Sequence, residues 1–369
     1  MKKEELIHKA LTETPATEWE RELYGFVNRW TDETDYIEVK TSGSTGLPKL
    51  IRHKKSTMLE SARMTCDFLK LEPGMSALIC LGTRNIAGMM MVVRAFERNL
   101  DIMVTDPGGH PLRNVPGGPV DFCAMVPAQV YNSLQRPEEK AKLMKINNLI
   151  IGGAPVSYSL EQQIKELPGN IYLTFGMTET MSHIALRKLN GPGASDEFTV
   201  LEGISIETGT AGNLVIHAPY LSNDPIITND LIEITNPPIP TSPHHPFTFK
   251  WLGRMDHVIN TGGFKIIAED TEARIAGVIG GILSATSSTQ RYFITGVPDE
   301  KLGEVPVLVI EMEQQKVQPH LTKRILDSLA GILPRHEVPR RVLYTGRFIE
   351  TPTQKIIRSA TLKKISNFD

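Results

Sequence analysis

The chain is poor in cysteine, has no excess of either charge and contains no long apolar run. Its three cysteines among 369 residues, Cys66, Cys80 and Cys123, are isolated and odd in number. That excludes a disulfide framework and metal-ligand spacing, and a reducing cytosol is the expected compartment. Cys80 and Cys123 sit in apolar runs that read as core strands. Forty basic residues stand against 42 acidic ones, a formal net charge of −2. No broad field therefore points to nucleic acid or to an anionic membrane surface as a partner. No stretch is long and apolar enough to span a bilayer, and Met1-Lys2-Lys3 runs into Glu4-Glu5 without an apolar signal core. No internal repeat is present. The length suffices for one large domain and a smaller one.

What stands out is Thr41-Ser42-Gly43-Ser44-Thr45-Gly46-Leu47-Pro48-Lys49. Glycines let backbone amides close on an anion, hydroxyls donate to phosphate oxygens, and the lysine adds a point charge. The Gly-Lys-Ser/Thr of a Walker A loop is missing. Ahead of this stretch, apolar residues at helical spacing predict a short helix over 3–11 and a second one carrying Trp19, Leu23, Phe26, Val27 and Trp30. Residues 35–40 alternate as a strand that leads into the loop.

Behind it, Thr57-Met58-Leu59-Glu60 has capping-box spacing and predicts a helix start there, running to about Leu69. Short apolar strands (77–81, 101–105, 122–126, 149–151, 171–175) then alternate with helices (86–97, 157–166). This is the pattern of an α/β core with a mostly parallel sheet, whose ligands lie beyond the carboxyl ends of the strands. Two loops at such ends attract notice: Gly152-Gly153-Ala154-Pro155, built of small residues, and Thr174-Phe175-Gly176-Met177-Thr178-Glu179-Thr180. Past residue 190 helical periodicity gives way to short β-segments at 200–207, 213–217, 231–235 and 247–251. The end of the chain reads as a small α+β unit, with helices after Asp270 and over 320–333 and strands at 292–297, 307–311 and 341–344.

Taken in order, these motifs resemble the adenylate-forming superfamily of acyl-CoA synthetases, luciferases and nonribosomal-peptide adenylation domains. The resemblance covers residues 35–355. It implies a large N-terminal α/β domain with an added β-rich part (residues 1–254) and a small, mobile C-terminal α+β domain (255–369). It implies that Thr41, Ser42, Gly43, Ser44, Thr45, Gly46 and Lys49 cradle the ATP phosphates. Gly153, Ala154, Pro155, Thr174, Gly176 and Met177 would line the nucleotide. Phe175, where the family has tyrosine, would pack on adenine. Thr178 would reach the α-phosphate and Glu179 would hold Mg²⁺, a cation that prefers oxygen ligands. Asp230 and Arg254 would bind the ribose hydroxyls, Asp256 would be the hinge, and Gly262, Gly263 and Lys265 would line the CoA channel. Lys355 would meet the carboxylate and the α-phosphate during adenylation.

The segment 81–94 further resembles the acid pocket of o-succinylbenzoate–CoA ligases, placing Asn85, Gly88, Arg94, Gly152 and His183 on the acid. Arginine in an apolar helix is costly unless an anion pairs with it, and a second substrate carboxylate would supply one. His183 is open between lining the acid and facing solvent. Only 40 residues precede the phosphate loop, fewer than in typical members, so a homo-oligomer that covers the exposed sheet is expected. The expected activity is an ATP-, Mg²⁺- and CoA-dependent carboxylate ligase. The alternatives are another aryl- or acyl-CoA ligase, an adenylation enzyme that loads a carrier protein, and an inactive nucleotide-binding regulator or scaffold.

Overall fold

In the first helices the apolar stripe and the capping chemistry agree. α1 (Lys3–Thr12) buries Leu6 and Ala10, and α2 (Glu18–Thr31) buries Leu23, Phe26 and Val27. Thr17 opens α2 with a capping box, its hydroxyl accepting from Glu20 N while the Glu20 carboxylate accepts from Thr17 N at 2.9 Å. The computed structural model describes residues 1–40, 50–236, 247–283, 291–351 and 355–366. The expected phosphate-loop residues 41–49 lie outside these. The strands on either side of them, β1 (Tyr36–Lys40) and β2 (Leu50–Lys54), pair antiparallel with Lys40 opposite Leu50.

The capping box expected at Thr57 is not used. α3 (Lys55–Phe68) starts two residues earlier, with Lys54 at the cap position and no side-chain cap. A tertiary contact replaces it: Lys55 N donates to Asp35 O at 2.7 Å, and Lys55 Nζ donates to Asp32 Oδ1 at 2.8 Å.

The α/β alternation then follows. It comprises β3 (Ser76–Ile79), α4 (Ile86–Glu97), β4 (Asp101–Val104), β5 (Val120–Met125), α5 (Pro127–Leu134), α6 (Pro137–Leu143), β6 (Ile146–Ile151), α7 (Tyr158–Lys165) and β7 (Asn170–Gly176). Helices α5 and α6 add to those that the sequence predicts, although each begins with proline at its first turn, a usable start signal. Strands β4, β3, β5, β6 and β7 lie side by side and parallel. Cys66, Cys80 and Cys123 are buried and free.

From β7 the same sheet continues antiparallel through β8 (His183–Lys188), β9 (Phe198–Val200), β10 (Ser205–Thr208), β11 (Asn213–His217), β12 (Ile226–Asn236) and β13 (Thr248–Arg254). Eleven strands result among the described residues, in the order β10-β11-β12-β13-β9-β8-β7-β6-β5-β3-β4. The segment 200–207 expected as one strand is two, because the chain turns at Gly203, φ +83°, a conformation that suits glycine. The β-segment expected over 231–235 is longer, as β12, and Asp230 lies within it.

A separate sheet starts at Val258. β14 (Val258–Thr261), β15 (Phe264–Ile267), α8 (Ala268–Leu283), β16 (Tyr292–Asp299), β17 (Gly303–Glu311), α9 (Leu321–Ala330), β18 (Arg341–Thr345) and α10 (Arg358–Ser366) complete the chain. The order is β15-β14-β17-β16, with β18 parallel to β17. Ile275 and Ile279 of α8 and Ile325 and Leu329 of α9 pack with Ile294, Leu308 and Ile310. Helix α10 was not anticipated. Among the described residues no helix is long and apolar enough to cross a membrane.

Candidate active site

The two loops meet at the carboxyl end of the parallel strands. β6 and β7 are neighbours, with Ile151 opposite Leu173, so their carboxyl ends deliver Gly152 and Thr174 side by side. A Cβ on Gly152 would fall 2.2 Å from Thr174 Oγ1, so any side chain there would have to displace the threonine hydroxyl. Gly153 follows with φ +86°, and Ala154 and Pro155 complete the loop.

The β7–β8 turn presents the acidic signature. A Cβ on Gly176 would strike His183 Cα and Ser182 O, both at 2.5 Å. The buried Thr180 hydroxyl fixes the turn: it accepts from Met177 N at 3.0 Å and lies 2.7 Å from Ser182 O. Met181 takes the left-handed conformation at φ +67°. The turn so tied holds Thr178 partly exposed and Glu179 exposed at its apex. No hydrogen bond or ion pair engages the Glu179 carboxylate among the described residues. One free hard-oxygen donor at the carboxyl end of the parallel strands is of the kind that fits Mg²⁺, which takes one or two carboxylates and completes its shell with phosphate and water. Among the described residues no cluster of three or more metal-binding side chains competes for that role.

Phe175 packs edge-on against Phe198 (5.5 Å) and Phe249 (5.3 Å), joining β7 to β9 and β13. Further along the sheet, Asp230 on β12 stands opposite Arg254 on β13. Trp251 Nε1 donates to Asp230 Oδ1 at 2.9 Å. Burial pushes the Asp230 carboxyl above its usual range, against the pull of Trp251 and Arg254. Arg254 Nη2 reaches Asp256 Oδ2 at 2.9 Å.

Behind the Glu179 turn lies a buried polar cluster. Arg94 on α4 is 2% exposed, and its Nη2 donates to Ser182 Oγ at 2.6 Å. Its Nε has no partner, and no carboxylate faces it among the described residues. Burial lowers its pKa to about 10, which leaves it charged at neutral pH. His183, the first residue of β8, is also buried; its Nε2 lies 3.0 Å from Thr65 Oγ1 on α3. Burial first, and then the Arg94 charge, push its pKa well below the ordinary value, so the ring is neutral. Of the two options for His183, solvent is therefore excluded. Thr65, Ser182 and Trp251 went unnoticed in the sequence, where nothing marks a hydroxyl or an indole that meets its partner only across the fold.

The other expected acid-site residues sit differently. Asn85 is the exposed cap position of α4 and makes no side-chain cap bond. Gly88 backs onto the strand end, where a Cβ would lie 2.3 Å from Gly82 O. Neighbouring Arg84 pairs with Glu22 and Glu18 of α2.

In the second part, Gly262 (φ +54°) and Gly263 (φ +87°) form a two-residue turn between β14 and β15, as the positive φ values require. Lys265 is exposed just beyond it. His257 and Arg358 both reach Glu269, and Arg358 also pairs with Glu272 at 2.8 Å. Arg254 N donates to Glu269 Oε2 at 3.3 Å, so this cluster adjoins Asp256. Lys355 is exposed; its backbone N donates to Thr351 Oγ1 at 3.1 Å and its O accepts from Thr351 N. Its side chain has no partner among the described residues.

A family profile described as AMP-binding enzyme matches residues 14–220. The 2-succinylbenzoate–CoA ligase of Escherichia coli strain K12 is 23% identical over 325 residues, covering 87% of this chain and 67% of that protein. An acyl-CoA synthetase (AMP-forming)/AMP-acid ligase II-like protein from Dyadobacter fermentans is similar in structure, with TM-score 0.63 and 34% identity. The match covers 97% of this chain and 98% of that one. The o-succinylbenzoate coenzyme A synthetase of Bacillus subtilis, in complex with ATP and magnesium ion, shares the fold at TM-score 0.66 and 18% identity, over 88% of this chain and 69% of its own. The chain thus spans about two thirds of the longer relatives and nearly all of the Dyadobacter protein.

Proposed function

The chain belongs to the AMP-binding enzyme family, and from that premise we propose that it is an AMP-forming carboxylate–CoA ligase whose acid carries a second carboxylate, o-succinylbenzoate being the favoured one. The reaction has two steps. An oxygen of the acid attacks the α-phosphorus of ATP, the bond to the β-phosphate oxygen breaks, and pyrophosphate leaves with its electron pair. The CoA thiolate then attacks the acyl carbon of the adenylate, the carbon–oxygen bond to AMP breaks, and a thioester forms.

For the first step, Thr174, Thr178 and the loop Gly153–Pro155 bind the nucleotide at the sheet edge, and Asp230 with Arg254 takes the ribose hydroxyls. A carboxylate suits a vicinal diol because its two oxygens accept from both hydroxyls. Glu179 would hold Mg²⁺, which would supply neutralising charge beside the phosphates. Lys355 adds a positive charge at the α-phosphate, and the Thr41–Lys49 segment cradles the rest. Asp256 is the pivot on which the small domain, from residue 255 on, turns between the two steps. That motion withdraws Lys355 and presents the Gly262-Gly263 turn to the pantetheine arm.

Arg94 carries the substrate assignment. A buried guanidinium with one hydroxyl partner and an unpaired Nε is an expensive arrangement that an incoming carboxylate relieves. The test is a panel of aryl and acyl acids with ATP and CoA, scored by AMP release. Acids with a second, distal carboxylate are expected to lead; a flat profile, or preference for simple fatty acids, overturns the assignment. Replacing CoA by a phosphopantetheinyl carrier protein in the same assay decides the acceptor.

A further inference from the structure

The buried polar cluster behind the Glu179 turn forms a chain of hydrogen bonds, and the chain has a direction. It joins α3, the start of β8 and α4. Thr65 Oγ1 donates to Ser61 O at 3.1 Å and lies 3.0 Å from His183 Nε2. On the other side of the ring, His183 Nδ1 lies 3.5 Å from Ser182 Oγ, which accepts from Arg94 Nη2 at 2.6 Å. Thr65, His183 and Arg94 are all buried, so their polar atoms depend on protein neighbours.

A neutral imidazole donates from one nitrogen and accepts at the other. A threonine hydroxyl carries a single hydrogen, and that of Thr65 goes to Ser61 O. Its oxygen therefore accepts from His183 Nε2–H. Nδ1 is left bare and takes the hydrogen of the Ser182 hydroxyl, which turns the Ser182 lone pairs onto Arg94. Every hydrogen in the chain then has an acceptor. With the other tautomer, Nδ1–H and Arg94 Nη2 would both donate to Ser182 Oγ, and the Ser182 hydrogen would have no acceptor among the described residues. Donors left without acceptors are costly, so the cluster selects the Nε2–H ring.

The chain matters for where it ends. Ser182 is the one hydrogen-bond partner of the Arg94 side chain among the described residues, and Arg94 Nε has none. A hydroxyl oxygen that offers Arg94 only lone pairs fixes the plane of the guanidinium, and with it the direction of the unpaired Nε–H. We propose that Thr65 is a positioning residue for acid selectivity. By holding His183 as the Nε2–H tautomer it directs the Ser182 lone pairs at Arg94 and so aims the guanidinium at the distal carboxylate of the acid. Thr65 acts through His183 and Ser182 and does not itself meet the acid. This rests on the ligase reading above, in which Arg94 takes that carboxylate.

Two measurements on the full chain test it. Long-range ¹H–¹⁵N correlation on protein labelled with ¹⁵N-histidine, with His183 assigned by comparison with His183→Gln, reads the tautomer. The parent should show Nε2–H at His183, and Nδ1–H overturns the proposal. Steady-state kinetics then compares a distal-carboxylate acid with a monocarboxylic one. Thr65→Val keeps the shape and removes the acceptor. It should lower the ratio of kcat/KM for the first acid over the second about three- to tenfold, the contribution of one neutral hydrogen bond. The loss should fall on KM, with kcat nearly unchanged, and His183 should no longer be held as Nε2–H. Thr65→Ser, which restores the hydroxyl, should restore both the ratio and the tautomer. Equal loss on the two acids, an unchanged ratio in Thr65→Val, or no rescue by Thr65→Ser overturns the proposal. If Thr65→Val does not fold, Thr65→Ala serves the same comparison. ATP–pyrophosphate exchange by the parent separates the two claims: its absence with every acid sinks the ligase reading, while the spectrum still decides the direction of the chain.

Discussion

Arg94 brings a full positive charge into a core that offers it one hydroxyl, and the energetics of that position set its role. A hydrogen bond to a charged group contributes about 1.5–3 kcal/mol, which is roughly one to two orders of magnitude in affinity. Arg94→Lys keeps the charge but loses the planar fork. It is expected to lower kcat/KM for a distal-carboxylate acid about 10- to 100-fold and to leave a monocarboxylic acid nearly unaffected. Steady-state kinetics on both acids measures the difference, and an equal loss on the two would assign Arg94 to packing. The arginine was conspicuous in the sequence because its helix, 86–97, is otherwise so apolar. Its inward direction and its neighbours Ser182 and His183 were not legible, since they come from the β7–β8 turn and the first residue of β8, about 90 positions away in the chain, and only sheet order brings them together.

At the scale of elements, α4 is held close to the end of β3 by the absence of one side chain. A Cβ on Gly88 would sit 2.3 Å from Gly82 O and 2.7 Å from Leu81 O, both backbone atoms that cannot rotate away. Gly88→Ala is expected to destabilise the protein by about 1–3 kcal/mol, as overpacking does, with a lower melting temperature by calorimetry. The β7–β8 turn behaves similarly. Thr180→Val removes the acceptor of Met177 N and the contact with Ser182 O, and it should loosen the turn that carries Glu179. The expected outcome is a raised KM for ATP in pyrophosphate exchange, with Mg²⁺ dependence shifted to higher concentration. Boundaries of α4 came straight from hydrophobic periodicity. Those of α3 did not, because the capping spacing at Thr57 was outcompeted by the contact of Lys55 with Asp32 and Asp35. Helices α5 and α6, of 8 and 7 residues, are shorter than the window over which periodicity discriminates, although their prolines marked both starts.

For the whole molecule, the division between the eleven-stranded sheet and the small sheet frames two expectations. If the part beyond Asp256 swings between the two half-reactions, Lys355→Ala should abolish adenylation while sparing thioester formation from supplied acyl-adenylate. ATP–pyrophosphate exchange and CoA trapping measure the two separately, and equal loss of both would refute the division of labour. The second expectation concerns pH. Burial raises the Glu272 carboxyl from 4.5 to about 7, against the pull of Arg358 and with a smaller push from Glu269. Its folded value lies above its unfolded one, so its contribution is fully present below about pH 4.5 and is lost as pH rises through about 7. Glu269 is held below its ordinary value, burial being outweighed by His257 and Arg358, and its contribution fades only in more acidic solution. Thermal stability should therefore decline between pH 5 and pH 8, and Glu272→Gln should flatten that slope; an unchanged slope would dismiss the assignment. What the sequence determined alone is the set of local things: the strand–helix alternation, glycines where the backbone must turn or touch, and the order of the motifs, because each depends on near neighbours in the chain. Tertiary structure alone decided which of those motifs share an edge, that Arg94 and His183 are both buried in one polar cluster around Ser182, and that Asp230 lies mid-strand opposite Arg254. Those are matters of strand order and burial, which no short window of residues contains.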